Sequence, residues 1–159
     1  MTSSRPTPPG TSLTPHEKKV LELVAEGLEN RQIAQETKVG PSTVKGHLRA
    51  IRTKLGVRSR AAMVARGYRT GQLPLPKEEE LPSAMTELDL RLLRLLCEGR
   101  SIMNIADLQT ISQRTAQSNI TQLLFKVGAP NMAKAVTLGY QWRVLATRRQ
   151  DRCRSEEAI

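Results

Sequence analysis

Basic side chains recur at regular spacing in the segment "TVKGHLRAIRTKLG", residues 43–56. A helix turns about 100° per residue, so Lys45, Arg49 and Arg52 would share one stripe of its surface. Cationic side chains bind phosphates, and Arg or Lys also donates to the O6 and N7 atoms of guanine in the major groove. The chemistry predicted for this segment is recognition of nucleic acid, and a solvated basic face is the alternative.

The charge of the whole chain favours the first of these interpretations. The 159 residues carry a net charge of +10, which indicates a polyanionic partner, with nucleic acid first and an anionic membrane surface second. Residues 1–72 hold 13 Lys and Arg against 5 Asp and Glu, whereas residues 73–159 hold 12 against 10. The attraction for anions therefore belongs mostly to the first half of the chain.

The chain also contains an approximate copy of itself. Residues 13–68 align with residues 85–140 at a constant offset of 72 and without a gap. The aligned pairs include a glycine at three of the four predicted helix ends: Gly27/Gly99, Gly56/Gly128 and Gly67/Gly139. Because chance similarity rarely keeps every such position in register, we interpret the chain as a tandem duplication.

Each unit has the pattern of four helices. In the first unit, Thr14 and Glu17 form a capping box, and the third helix is predicted from Gly40-Pro41 to about Leu55. The fourth helix is predicted to begin at Ser59. The apolar stripe that would hold the third helix on the core consists of Val44, Leu48, Ile51 and Leu55.

The predicted fold is therefore all-α, with two tandem four-helix helix-turn-helix domains joined by a linker rich in Pro and Glu. Scarce aromatic residues, 3% of the chain, agree with small helical units. The predicted organisation is a flexible lead (1–12), a first domain (13–69), a linker (70–83), a second, degenerate domain (84–146) and a charged tail (147–159).

The first unit resembles the LuxR-type (GerE-like, FixJ/NarL-like) DNA-binding domain of bacterial transcription regulators. The resemblance covers residues 13–68. Its marks are Leu13-Thr14, Glu17, Val20-Leu21, Gly27, Asn30, Ile33-Ala34, Thr43-Val44-Lys45, His47-Leu48 and Lys54-Leu55-Gly56-Val57. It implies a four-helix domain whose third helix enters the major groove of double-stranded DNA, and often a dimer formed through the fourth helix, here 59–66.

The resemblance also implies which positions face the bases: Lys45, Gly46 and Arg49. Gly46 departs from the family, in which a side chain is usual, so this position makes no side-chain contact. Other polar and basic residues of the third helix and the next turn are predicted to contact the DNA backbone. They are Thr43, His47, Arg52, Lys54, Arg58 and Arg60.

The second unit keeps the frame and loses the cations. Gln117, Asn119 and Thr121 stand where the first unit has Lys45, His47 and Arg49, so we expect this unit to bind DNA poorly by itself, with weak readout by neutral side chains still open. Leu124 and Phe125 are predicted as an interaction face, covered by another subunit, a partner or an extended helix around Trp142. Dimerisation, partner contact and auxiliary DNA binding remain open as its role.

Nothing in the sequence predicts an enzyme, a cofactor or a metal site. His16 and His47 lack other ligands at metal-binding spacing, Cys97 lies in an apolar run, and no nucleophile–base pair or phosphate-binding loop is present. No membrane helix or signal peptide is indicated, so we expect a cytoplasmic protein associated with the bacterial nucleoid. The arginines of the tail and Cys153 are most simply a solvated end.

The predicted function is a sequence-specific double-stranded DNA-binding regulator of transcription. Only residues 1–12 precede the first domain, so we expect control by abundance, by a partner protein or by a ligand in the second unit. Two alternatives stay open: a non-catalytic interaction protein that sequesters a related regulator, and an architectural protein that binds DNA regardless of sequence.

Overall fold

The computed structural model describes residues 12–145, and within this range there are eight α-helices and no β-strand. The all-α prediction is confirmed. The predicted tail, with Cys153, and the lead before Ser12 lie outside the described residues. The helices are α1 (Pro15–Ala25), α2 (Asn30–Thr37), α3 (Pro41–Leu55), α4 (Arg60–Arg69), α5 (Glu87–Cys97), α6 (Ile102–Gln109), α7 (Gln113–Val127) and α8 (Met132–Gln141).

Local chemistry sets the ends of these helices. The Thr14 hydroxyl accepts from the backbone N–H of Glu17 at 3.2 Å, and the Glu17 carboxylate accepts from the N–H of Thr14 at 3.0 Å, which completes the predicted capping box of α1. Thr86 and Asp89 repeat this box at α5. Gly56 ends α3 with a φ of +68°, a backbone conformation that glycine adopts without steric cost.

The last four helices repeat the first four with the same lengths. Each begins and ends 72 residues after its counterpart, as the bounds of α3 and α7 illustrate. Two ends differ from the sequence prediction. Helix α4 runs past Gly67 to Arg69, and α8 ends at Gln141 with Trp142 as its C-cap, so within the described residues α8 does not continue through Trp142.

A buried apolar core fixes α3 against the two helices before it. Val44 and Ile51 of α3 are completely buried and belong to one core with Leu21 of α1 and Ile33 of α2. These side chains leave the opposite face of α3 in solvent. Helix α7 is fixed in the same way, by a buried apolar core that contains Leu93, Ile105, Ile120 and Leu123.

The two sets of four helices pack on each other through α4, α8, α1 and α5. The predicted linker lies against this assembly and contains no helix. Leu73 is buried, the backbone N–H of Glu79 donates to the carbonyl of Gln141 at 3.0 Å, and the Arg143 guanidinium donates to the carbonyl of Pro76 at 3.0 Å. The linker is thus held at the end of α8.

Candidate nucleic-acid interface

The solvent-facing side of α3 carries the three predicted base-reading positions. Lys45, Gly46 and Arg49 are exposed, on the side of the helix away from the buried Val44 and Leu48. Within residues 12–145, neither the Lys45 nor the Arg49 side chain forms an ion pair or a hydrogen bond with the protein. Both cations are therefore available to an external anion.

Gly46 lies in open space at the centre of this face. A Cβ atom built there meets no heavy atom within 4 Å. The absence of a side chain is consequently not required by packing inside the protein. It leaves a shallow position between Lys45 and Arg49, where the backbone of α3 is directly accessible.

The predicted backbone contacts fall into two groups. Thr43 and Arg58 are exposed, as the prediction requires. His47 and Arg52 are half-buried. The His47 ring lies almost parallel to that of His16, with centroids 6.4 Å apart, and the Nε of Arg52 has no hydrogen-bond partner among the described residues. All four therefore keep at least part of the side chain accessible to solvent.

Lys54 is placed differently from the prediction. Its ammonium lies 2.6 Å from Oε1 of Glu17, and this carboxylate is almost completely buried. Burial raises the pKa of Glu17, but the hydrogen bonds from Lys54 and Thr14 outweigh it and leave the pKa below its usual value. Lys54 thus neutralises a buried charge inside the domain, and we remove it from the predicted DNA contacts.

Arg60 is also engaged within the protein. Its guanidinium donates to Oδ1 of Asn30 at 2.6 Å and to the carbonyl of Leu28 at 2.7 Å. Burial lowers the pKa of Arg60, against the raising effect of Glu29, though the group stays charged at neutral pH. Arg60 joins the start of α4 to the segment before α2, so it too is corrected from a DNA contact to a structural residue.

The corresponding face of α7 is neutral. The residues 72 positions after the base-reading set are Gln117, Ser118 and Thr121, and all three are exposed. Arg114 adds an exposed cation in the first turn of α7, which the sequence reasoning did not single out. The ion pair of the first unit recurs here as Lys126 with Asp89, also at 2.6 Å.

The predicted interaction face at Leu124 and Phe125 does not form one surface. Leu124 is half-buried and packs against the core, whereas Phe125 is 91% exposed. Successive residues of a helix point about 100° apart, so adjacent positions rarely belong to the same face. The exposed apolar neighbour of Phe125 is Leu88 of α5, 49% exposed, which lines the same cleft.

The fourth helix, predicted to dimerise with another chain, is covered by α8 of the same chain. Ala61, Ala65 and Tyr68 of α4 are buried, and the Tyr68 ring lies 4.8 Å from that of Tyr140. This surface is therefore already paired inside the chain and is not free to bind a second copy.

Among residues 12–145, no group of three or more potential metal ligands occurs. Within the same range, no helix combines the length and the apolar composition that a membrane crossing needs. Neither result bears on the segments outside that range.

Helices α2 and α3 meet across a short turn, and α3 presents an exposed basic face while its other face is buried. This arrangement defines a helix-turn-helix domain. Comparison with family models agrees: residues 11–66 match the family "Bacterial regulatory proteins, luxR family". This segment is a LuxR-type helix-turn-helix domain, as the resemblance implied, and a domain of this family is a regulatory module and not an enzyme.

Individual relatives match segments of similar length in this chain. A candidate HTH-type transcriptional regulator of Mycobacterium tuberculosis is 47% identical over 60 residues, which cover 38% of this chain and 7% of that protein. The transcriptional regulatory protein DesR of Bacillus subtilis is 41% identical over 59 residues, 37% of this chain and 30% of DesR. The nitrate/nitrite response regulator protein NarP of Escherichia coli is 46% identical over 54 residues, 34% of this chain and 25% of NarP.

These matches cover only part of this chain and only part of each relative. The chain spans less than a third of the length of any of these three relatives. No solved structure matches the chain. The family match ends at residue 66 and does not include the second four helices.

Proposed function

We propose that this protein is a sequence-specific double-stranded DNA-binding regulator of transcription and that α3 is its recognition helix. The observation that carries the proposal is the division of α3 into two faces. Val44, Leu48 and Ile51 are buried, while Lys45 and Arg49 are exposed and unpaired within the described residues. An α-helix fits the major groove, so this face is able to reach base edges.

The residues of the interface divide by role. Lys45 and Arg49 donate to acceptors on base edges, and the side-chain-free Gly46 lets the helix approach closely. The DNA backbone is contacted by the surrounding polar and basic residues. After the two corrections above, these are Thr43, His47, Arg52 and Arg58.

We also propose that the second four helices are a degenerate copy of the first domain. The matching lengths and offsets of all four helices support this, as do the recurring capping box and the recurring ion pair of Lys126 with Asp89. The copy keeps the residues that fold the domain and lacks cations at the positions of Lys45 and Arg49.

Footprinting on genomic DNA fragments tests the proposal. We expect a discrete protected site. Lys45→Ala should weaken binding to that site by about tenfold to a hundredfold, the range expected when a good base contact is lost. Lys18→Ala, which removes an exposed cation from α1, is the matched control and should leave the affinity within about twofold at moderate salt.

Other outcomes separate the alternatives. If the protein protects all DNA fragments uniformly, and if Lys45→Ala weakens this protection equally on every fragment, the protein is an architectural DNA binder. Absence of protection even at low salt would indicate an interaction protein. Either result would contradict the assignment of α3 as a sequence-reading helix.

A further inference from the structure

Equivalent residues of the two sets contact each other reciprocally. The Tyr68 hydroxyl donates to Oγ1 of Thr137 at 3.3 Å, and the Tyr140 hydroxyl lies 3.5 Å from the carbonyl of Ala65. Tyr140 is the counterpart of Tyr68, and Thr137 is the counterpart of Ala65, in the same register of 72 residues. Each tyrosine therefore contacts the equivalent residue position in the other set of four helices.

The glycines at the ends of α1 and α5 also contact equivalent residues of the opposite set of four helices. A Cβ on Gly27 would lie 3.0 Å from the Cβ of Lys134, and a Cβ on Gly99 would lie 3.9 Å from the Cβ of Ala62. Lys134 is the counterpart of Ala62. Contacts in which one surface meets its own equivalent are the signature of a two-fold interface. The chain is thus organised as a two-fold pair built into one polypeptide.

The contacts also give the direction of the local two-fold axis. The starts of α4 and α8, residues 59–61 and 131–133, line one cavity of about 410 Å³. The last turns of the two helices meet at Tyr68 and Tyr140. Helices that meet at both their starts and their ends run side by side in the same direction, so the axis lies along them.

This direction determines where the two recognition-type helices lie. Helix α3 ends at its C-cap Gly56, four residues before α4 starts at Arg60, and α7 ends at its C-cap Gly128, four residues before α8 starts at Met132. Since α4 and α8 start at the same end of the axis, α3 and α7 end there as well. In two-fold dimers of helix-turn-helix proteins, paired recognition helices at one end of the axis enter successive major grooves of one DNA.

We propose that α7 binds the DNA segment next to the one bound by α3 and reads it with neutral side chains. The inference rests on the proposed function of α3. Gln117, Thr121 and Phe125 follow at intervals of four residues, so they form one stripe, and all are exposed. Their counterparts in α3 are Lys45, Arg49 and Thr53.

The chemistry of this stripe favours A·T base pairs. The Gln117 amide has the donor and acceptor that match N7 and N6 of adenine, and the Phe125 ring suits the methyl group of thymine. Thr121 donates its hydroxyl to the carbonyl of Gln117 at 2.9 Å and still offers lone pairs to a base donor. Arg114, in the first turn, is placed for a phosphate. The predicted target therefore has unequal halves.

The test uses the full chain and a labelled duplex of about 30 base pairs that carries the footprinted site, long enough for two half-sites one helical turn apart. We expect protection of both half-sites. Gln117→Ala and Phe125→Ala should each weaken binding by about tenfold. This loss should vanish on a duplex whose second half-site is replaced by G·C pairs. Gln35→Ala, an exposed amide on α2, is the control.

The outcomes distinguish this inference from the function on which it rests. Protection of one half-site, with Lys45→Ala impaired and Gln117→Ala unchanged, would overturn the role of α7 and keep that of α3. No discrete site for the wild-type chain would overturn both. A third outcome is that light scattering shows association of the chains, that Phe125→Ser abolishes this association, and that its DNA affinity is unchanged. This outcome would assign Phe125 and Leu88 to a protein partner and would also overturn the inference. Unchanged thermal melts would show that the variants fold.

Discussion

Replacing Lys54 by methionine would separate the two roles that a basic residue of α3 can have. Methionine keeps most of the apolar stem and removes the ammonium that lies 2.6 Å from the Glu17 carboxylate. The carboxylate would then keep only its hydrogen bonding to Thr14, because its Oε2 atom has no hydrogen-bond partner among the described residues. We expect the variant to be less stable but to bind DNA normally once folded.

The magnitude follows from burial. A hydrogen bond to a charged group contributes about 1.5–3 kcal/mol, and breaking a fully buried pair costs about 3–5 kcal/mol. The Glu17 side chain is 4% exposed but that of Lys54 is 24% exposed, so the pair is not fully buried and the range of about 1.5–3 kcal/mol applies. A loss of about 2 kcal/mol corresponds to a fall in Tm of roughly 4–8 °C for a chain of this size.

The assay is thermal and urea unfolding of both proteins as a function of pH. The folded-state pKa of Glu17 is lowered, so its ion pair stabilises the protein above the unfolded pKa, near 4.3, and this contribution disappears as pH falls through the folded value. The Tm difference between wild type and Lys54→Met should be full at pH 7 and should close as pH falls from the unfolded pKa of Glu17 through its lower folded value. Lys126→Met is the internal comparison, with a smaller loss because Lys126 is 37% exposed.

A Lys54→Met variant that melts like the wild type would contradict the structural role of Lys54. So would a fully folded variant whose DNA binding loses about one phosphate contact in its salt dependence, since that would return Lys54 to the DNA interface.

The remaining predictions concern two glycines. Gly139→Ala would place a Cβ against the sulfur of the buried Cys97, so we expect a loss of about 1–3 kcal/mol in urea unfolding, partly restored by adding Cys97→Ala. Equal stability of the single variant and the wild type would rule out the close approach of α5 and α8. Gly46→Ala meets no atom within 4 Å and should raise stability by about 0.5–1 kcal/mol, and a decrease would show that the backbone there is not in open solvent.

The ends of the helices could be predicted because they depend on residues close in sequence. The capping box at Thr14 and the break at Gly56 follow from backbone chemistry within one turn, and the buried stripe of α3 follows from its periodicity. The structure agrees with each of them. The apolar run around Cys97 likewise agrees with the burial of its thiol in the core.

The roles of Lys54, Arg60 and Leu124 could not be predicted from local pattern because each depends on a partner distant in the chain. A charged residue on a recognition-type helix looks the same whether its partner is a phosphate or a buried carboxylate. One signal was nevertheless present: the second unit lost its other recognition cations but kept Lys126, opposite an acid at Asp89. When a copy of the domain keeps one cation and loses the cations that would face DNA, the cation that is kept is indicated to have a structural role.

The pairing of α4 with α8 was hidden for the same reason. The sequence predicts that α4 has an apolar face, and it does not say whether that face meets a second chain or a later part of its own. The small residues Ala61 and Ala65 of α4 are buried where α8 packs against it, and their size permits the close approach. The choice between an external and an internal partner depends on the linker, whose path only the structure gives.

The covalent connection between the paired halves has a consequence for how the protein responds to its own concentration. A dimer assembled from two chains dissociates on dilution, so its occupancy of a site rises with the square of the chain concentration when chains are scarce. Here the two halves are held at a high effective concentration by the linker at all dilutions. Occupancy should then rise in simple proportion to the number of molecules in the cell, which gives a graded response where a dissociable pair gives a threshold.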